Sequence, residues 1–372
     1  MKDLFLHIGT QKTGTTSIQS FLKLNRIELE KKKIYTPKSI DIGNGHHRWV
    51  TTFGTDDNKV DAFIANQEFS SKEEKNKIIN EKFELFKKEI ERNDEGKWII
   101  SCEHMQSELR TEDEITRLKN KLEKLFTKIN VILYIRNPLD TVVSLWSTQT
   151  KFGAKLTRIA APDDPFYENV CNHKKTIMRW KNVFGRENLK VLRFQKEDFF
   201  NKNLFEDFCL NVGIDFNKDF QLPPKTNQSL SLIGMKSLGY INKFIPHFEE
   251  RKDMSSPLKL NRERNNIASY IEKYTLKGET YNVSEEEELK FCQYYKDSDD
   301  WVLREFFPND KKMWNSERKF RETDNDEVMK LTRSEQMLCN IIIKLWKERN
   351  RNRNRNRNRN SFQNFNDLEI KL

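Results

Sequence analysis

Leu4-Phe5-Leu6-His7-Ile8-Gly9-Thr10-Gln11-Lys12-Thr13-Gly14-Thr15-Thr16-Ser17 is the stretch whose reading decides the fold. Leu4, Phe5, Leu6 and Ile8 are apolar strand formers, so the opening reads as a short buried strand. Gly9 and Gly14 bracket a loop where bulky side chains would block the backbone. Thr15, Thr16 and Ser17 then start a helix whose apolar positions Ile18, Phe21, Leu22 and Leu29 recur at helical spacing. A helix N-terminus after a glycine-bearing loop offers free N–H groups and a partial positive charge to an anion. The stretch therefore reads as a phosphate or sulfate cradle rather than a plain Gly/Thr-rich turn.

The same residues set it apart from a nucleoside-triphosphate loop, G-x-x-x-x-G-K-[ST]. Gly9 and Gly14 have that spacing, but Thr15 follows where lysine belongs, and the lysine sits inside the loop as Lys12. From there it can reach the 5′-side anion and the oxygen bridging to a leaving group. The run Gln11 to Ser17 resembles the 5′-phosphosulfate-binding loop of sulfotransferases that use 3′-phosphoadenosine 5′-phosphosulfate (PAPS), and is most similar to the bacterial and polysaccharide branches. The resemblance implies that Gln11, Lys12, Thr13, Gly14, Thr15, Thr16 and Ser17 bind the donor.

The totals bound the rest. A chain of 372 residues is long enough for one large domain or two modest ones. With 33% charged residues and no apolar run of the roughly 20 residues a membrane helix needs, it reads as a soluble protein. Met1-Lys2-Asp3-Leu4 carries an acid and runs straight into the strand, unlike a signal peptide. Cys102, Cys171, Cys209, Cys292 and Cys339 are scattered and never form C-x-x-C, which suits reduced thiols and a cytoplasmic location. Of the net charge of +10, six belong to Arg349, Arg351, Arg353, Arg355, Arg357 and Arg359, leaving +4 for the remainder. That balance is compatible with anionic ligands without implying nucleic acid.

Residues 33–70 read as irregular, with Gly43, Gly45 and Gly54 suggesting a loop able to line a pocket; a plain surface loop is favoured over a role in acceptor binding. Adjacent His46 and His47 diverge, and no Cys or Asp completes a metal set. Residues 71–93 read as a helix capped by Ser71 with Glu74 three residues on, its charges forming a solvated face. Trp98 to Cys102 is a second strand ending in Glu103-His104. In an open α/β sheet, chemistry gathers at the carboxyl ends of strands. Either residue is placed to be a general base, with a plain loop-starting acid as the bland alternative. Polysaccharide sulfotransferases are similar in placing a catalytic Glu here, and a branch acting on small molecules uses His. Glu103 comes first after the strand and is favoured, with His104 the runner-up.

Residues 112–128 read as an amphipathic helix. Val131 to Ile135 is a strand buried on both faces, ending in Arg136-Asn137-Pro138, where Asn137 can cap and Pro138 opens a helix. Arg136 and Ser144 together resemble the sulfotransferase element that grips the 3′-phosphate of PAPS. Arg offers a planar fork and Ser a further donor. Residues 150–167 read as an exposed lid or acceptor-binding loop, and a helix with Ile177, Trp180 and Phe184 follows. Leu189 to Phe194 is a fourth strand, and 199–212 a helix. Lys225, Asn227 and Ser229 lie in a Pro-initiated turn where the resemblance implies nucleotide contacts. Residues 230–320 read as mostly helical, Trp301 to Pro308 resembling the closing segment of bacterial sulfotransferases, and 325–347 as one more helix. From 349 to 360 Arg and Asn alternate with nothing apolar to bury, which predicts a disordered, solvated tail.

Four strand-like runs alternating with helices predict an α/β fold with a mostly parallel central sheet and helices on both faces. The resemblance spans about residues 4–308 and is most specific at 9–17 and 136–144. It implies a P-loop-like sulfotransferase domain over 1–320, a helix packed on it over 321–348, and the tail over 349–372. It implies an enzyme that moves a sulfuryl group from PAPS to a hydroxyl or amine, releasing adenosine 3′,5′-bisphosphate. The acceptor leans toward a carbohydrate or glycolipid, and no metal is required. Alternatives are a P-loop kinase, a non-catalytic anion- or nucleic-acid-binding protein using the basic tail, and an inactive relative.

Overall fold

The structure is a computed structural model and describes every residue except 68, 156–157, 225–228, 249–260, 276–277, 316–317, 350 and 352–372. The expectations for Lys225, Asn227 and most of the Arg/Asn tail fall outside the described residues. The chain divides into two compact units, Met1–Ser144 with Ala160–Asn227 and Glu285–Phe320, and Leu145–Ile159 with Gln228–Ser284 and Arg321–Leu372.

The first unit holds the sheet. Its strands are β1 (Lys2–His7), β2 (Ile34–Tyr35), β3 (Gly96–Ser101), β4 (Lys128–Ile135) and β5 (Leu189–Arg193). They run in the order β2-β3-β1-β4-β5, and every pair is parallel. Around them the helices are α1 (Thr15–Leu24), α2 (Arg26–Lys31), α3 (Ala62–Ala65), α4 (Lys72–Glu91), α5 (His104–Glu108) and α6 (Glu112–Leu122). Next come α7 (Pro138–Lys151), which begins in the first unit and finishes in the second, then α8 (Pro165–Cys171), α9 (His173–Phe184) and α10 (Leu204–Asn211).

Period-two alternation sorts the strand side chains onto two faces. Leu4, Leu6, Ile8, Trp98, Ile100, Val131 and Leu133 join Phe86, Ile90, Ile115, Leu118, Ile177 and Trp180 from α4, α6 and α9. Ile99, Ile132 and Tyr134 join Ile18, Phe21, Leu22 and Leu29 from α1 and α2 and Phe208 from α10. Helices therefore cover both faces of a parallel sheet, the expected fold class.

Local signals set many boundaries. The Ser71 hydroxyl accepts the Glu74 N–H at 3.2 Å, and Thr111 with Glu114 forms a full capping box on α6. The Asn137 side chain accepts the Leu139 N–H at 3.0 Å, with Pro138 in the first turn of α7. Other boundaries differ from expectation. The helix expected over 112–128 ends at Leu122, because Lys128 and Ile129 are already paired with Asp3 and Leu4 of β1. β2 was not expected. It is two residues long and pairs with Lys97 and Trp98, too short for any periodicity to show. The helix expected from 199 begins only at Leu204, where Asn203 caps it, after a 3-10 turn with Asn201 and Lys202 at positive φ.

The first unit also contains α13 (Glu285–Phe306), numbered after two helices of the second unit, α11 (Leu232–Ile241) and α12 (Arg262–Thr275). In the second unit the fully buried Arg264 binds the carbonyl of Thr150 at 2.9 Å, Asn242 Oδ1 at 2.5 Å and the Lys151 carbonyl. The helix expected over 325–347 is split there into α14 (Asn325–Val328) and α15 over 333–349. A reciprocal cap causes the restart: Glu335 accepts the Thr332 N–H at 2.7 Å, and Thr332 accepts the Glu335 N–H at 3.3 Å.

Candidate active site

The carboxyl ends of three adjacent strands, β3, β1 and β4, carry the residues the sequence singled out. β1 is followed by the cradle, β3 by Glu103 and β4 by Arg136. The sheet ladder extends beyond β1: Ile8 N–H donates to Ile132 at 3.0 Å, Tyr134 N–H to Gly9 at 2.7 Å and Thr10 N–H to Tyr134 at 2.6 Å. The loop proper begins at Gln11. Thr13 is buried, and its hydroxyl turns inward to the Thr10 carbonyl at 2.6 Å. Gly14 precedes α1 in the left-handed region at φ +70°, and no side chain caps the helix. A Cβ on Gly14 would stand 2.6 Å from Leu204 Cδ2 and 2.9 Å from Phe194 Cε2, so the loop is pressed against the side chains behind it. Thr15 is buried, and Thr16 and Ser17 are half-buried at the helix start.

Lys12 has φ +65°. For a residue with a Cβ that conformation costs roughly 1–2 kcal/mol, so the surrounding contacts must impose it. One is visible. Arg136 Nη1 donates to the Lys12 carbonyl at 3.0 Å. Arg136 also lies over the Phe194 ring at 5.7 Å, and its own carbonyl is bound by His173 Nε2 at 2.8 Å. Burial lowers its pKa, with Asp140 opposing and Arg318 adding to the shift. Arg318 in turn is held by Asp140 at 2.5 Å and Glu288 at 3.0 Å. Ser144 is buried on α7, one turn beyond Asp140. Arg136 thus touches the cradle itself, a role the sequence did not suggest for it.

Glu103 sits directly beside the cradle. A Cβ at Gly9, whose φ is +98°, would lie 2.9 Å from Glu103 Cβ and 3.0 Å from its Cα. Gln19, on the buried face of α1, donates to Glu103 Oε2 at 2.9 Å. His46 Nε2 stands 3.6 Å from the same oxygen. Burial works against charge on Glu103. The imidazoles of His46 and His104, a backbone N–H and the Gln19 amide outweigh it, and the carboxyl sits below its ordinary value. A carboxylate so held is ionised at neutral pH and able to accept a proton. His104 opens α5, and burial and the Arg48 charge push its pKa down to about 4.

Residues 40–55 are not the surface loop that their glycines suggested. Arg48–Phe53 forms a 3-10 helix whose six residues are all buried. Trp49, Val50 and Phe53 belong to the larger core cluster, and His47 Nδ1 accepts the Ser101 N–H at 3.0 Å. This packing carries His46 to Glu103 and leaves its ring 5.4 Å from that of His104. Gln19 and His46 are the two contacts of the site that sequence reading missed. Gln19 had a signal, a polar residue among the apolar positions Ile18, Phe21 and Leu22 of the buried stripe. His46 had only the buried aromatic segment that follows it.

All five cysteines are free, four of them buried. No helix among the described residues is long and apolar enough to cross a membrane. The site thus combines an uncapped helix start, a loop lysine, a guanidinium beneath that loop and an ionised carboxylate at its edge. Such a set can bind an anionic group and remove a proton beside it.

The family profile described as a sulfotransferase domain matches residues 2–186, which include the cradle, Glu103, Arg136 and Ser144. Among solved structures, a sulfotransferase from Alicyclobacillus acidocaldarius is 16% identical, with a TM-score of 0.31 over 60% of this chain and 86% of its own. The sulfotransferase domain of the Synechococcus PCC 7002 olefin synthase is 12% identical, with a TM-score of 0.34 over 73% and 94%. A sulfotransferase domain from the curacin biosynthetic pathway is 11% identical, with a TM-score of 0.36 over 78% and 96%. No curated protein matches the chain.

Proposed function

The chain belongs to the sulfotransferase family through its residues 2–186, and from that premise we propose that it transfers a sulfuryl group from PAPS to a hydroxyl or amine of a carbohydrate or glycolipid acceptor. The contact between Gly9 and Glu103 is the observation that carries this reading, since it sets an ionised carboxylate at the edge of an anion cradle.

The residues fit such a donor. The first turn of α1 lacks a side-chain cap, leaving the N–H groups of Thr15, Thr16 and Ser17 to bind an anion beside Gln11, Lys12, Thr13 and Gly14. Arg136 uses one of its five N–H donors on Lys12, and the others make no hydrogen bond among the described residues. That leaves its fork for a 3′-phosphate, with Ser144 assigned the second contact. When bound, the donor supplies an activated sulfuryl group on a 5′-phosphate.

Glu103 takes the proton of the acceptor hydroxyl as that oxygen bonds to sulfur. The bond from sulfur to the bridging oxygen breaks in line, and adenosine 3′,5′-bisphosphate departs with the electron pair. Lys12 stabilises the charge that develops on the bridging oxygen and on the transferring group. No step calls for a metal. Positioning and charge stabilisation supply most of the rate, as in phosphoryl transfer. His104 is the second candidate for the base. The cytoplasm, where the nucleotide donor and reduced thiols coexist, is the assigned location. Incubating the protein with PAPS labelled in sulfur and cell extract tests the reading: a labelled glycan or glycolipid is expected, and transfer to no acceptor would overturn it.

A further inference from the structure

The chain contains six histidines, and two of them converge on one carboxylate. We propose that His46, Glu103 and His104 form a binding site for a divalent ion of the zinc class, and that the bound ion blocks transfer by occupying the base. The three side chains come from two places: His46 from the loop before the 3-10 helix, and Glu103 and His104 from the cap and first residue of α5, just beyond β3. One ligand atom from each lies within 4.8 Å of the others. His46 Nε2 and Glu103 Oε2 are 3.6 Å apart. Zinc bonds of about 2.0–2.2 Å in a tetrahedron put neighbouring ligands roughly 3.3 Å apart, so this pair needs little movement.

The donor types agree with that ion. Two imidazoles and one carboxylate are a recurrent set for zinc with a position left open for a further ligand. His104 Nδ1 is buried and has no hydrogen-bond partner among the described residues. The site is reachable, since the side chains of His46 and Glu103 are 18% and 16% exposed. Gln19 fixes Glu103 Oε2 from behind, as outer contacts do around metal ligands. Arg48, whose charge acts on His104, is paired with Asp61, which offsets its repulsion of an ion.

The binding claim stands apart from the proposed transfer; the blocking claim rests on it. Zn²⁺ titrated calorimetrically into the full chain, in a Cys292→Ser background that removes the exposed thiol, is expected to bind one ion per chain. His46→Ala and His104→Ala are each expected to weaken binding by at least about tenfold. His46→Gln, which keeps the bulk and polarity of the side chain, is expected to do the same without loss of folding, read from its melting curve. Co²⁺ bound to the unsubstituted chain is expected to give the visible absorption of a low-coordinate nitrogen and oxygen site. Absence of saturable Zn²⁺ binding, or affinity unchanged in all three variants, would overturn the site. Zn²⁺ that binds while transfer proceeds undiminished would overturn the blocking claim alone. A chelated protein that transfers nothing overturns the transfer reading and leaves the site to the calorimetry.

Discussion

Arg136 Nη1 donates to the Lys12 carbonyl at 3.0 Å, tying the end of β4 to the one cradle residue that carries a Cβ and adopts a left-handed backbone. That residue's conformation costs roughly 1–2 kcal/mol, while a hydrogen bond from a charged donor contributes about 1.5–3 kcal/mol. The second figure is the larger, so Arg136 can hold Lys12 in place as well as face an anion. Donor binding and loop geometry are therefore linked through one guanidinium.

Replacing Arg136 by Lys keeps a charge but loses the planar fork. It should weaken binding of adenosine 3′,5′-bisphosphate by about 10- to 100-fold, the equivalent of one charged hydrogen bond, and lower the melting temperature. Calorimetry with that nucleotide checks the first effect and thermal unfolding the second. Unchanged nucleotide affinity would show that Arg136 serves the loop alone.

Gly9→Ala places a methyl group 2.9 Å from Glu103 Cβ on a backbone at φ +98°. Both the contact and the conformation oppose it, and relief requires moving the cradle away from the carboxylate. The expected result is a fall in kcat of at least about tenfold, together with a stability loss of about 1–3 kcal/mol. Steady-state kinetics and urea unfolding read the two effects. A variant with full kcat would mean that the Gly9–Glu103 contact does not set the reacting geometry.

Glu103→Gln retains shape and still faces Gln19 and His46 but cannot accept a proton. Its kcat should fall by about 10²–10⁴, while affinity for adenosine 3′,5′-bisphosphate stays that of the parent. If kcat is unaffected and His104→Gln abolishes it instead, the histidine is the base.

These residues differ in how far the sequence disclosed them. The cradle, Glu103 and Arg136 were legible because each rests on local signals: an apolar strand, a glycine, a helix start, an Asn-Pro cap. The carboxyl ends of parallel strands then brought them together without further information. Gln19 lies 84 positions from Glu103, and Arg318 lies 178 from Asp140, so no local pattern records either contact. His46 was misread because glycines at 43, 45 and 54 suggested exposure, whereas Trp49, Val50 and Phe53 pull the segment into the core. β2 escaped because two residues cannot show a period. Sulfuryl chemistry was read from a motif, while the acceptor depends on side chains that long-range packing assembles.

Asp299 makes stability depend on pH in a direction opposite to the usual carboxylate. It lies on α13, accepts the Trp314 Nε1–H at 2.7 Å through Oδ2, and has no partner for the buried Oδ1 among the described residues. Burial raises its pKa from 3.8 to about 7; Trp314 opposes the shift and Asp300 adds to it. The folded protein therefore holds a proton that the unfolded chain releases between about pH 4 and 7, and stability falls as pH rises through that window. The slope from this group is at most about 1.4 kcal/mol per pH unit, or about 4 kcal/mol in all. Below the window the penalty is absent, and above it the penalty is complete. Asp299→Asn keeps an acceptor for Trp314 and carries no charge, so it should unfold at higher urea than the parent at pH 8 and at similar urea near pH 3.5. His7 and His173, whose burial lowers each pKa to about 4, impose the opposite trend on both proteins and cancel in the comparison. A difference between variant and parent that does not change with pH would show that Asp299 is ionised throughout.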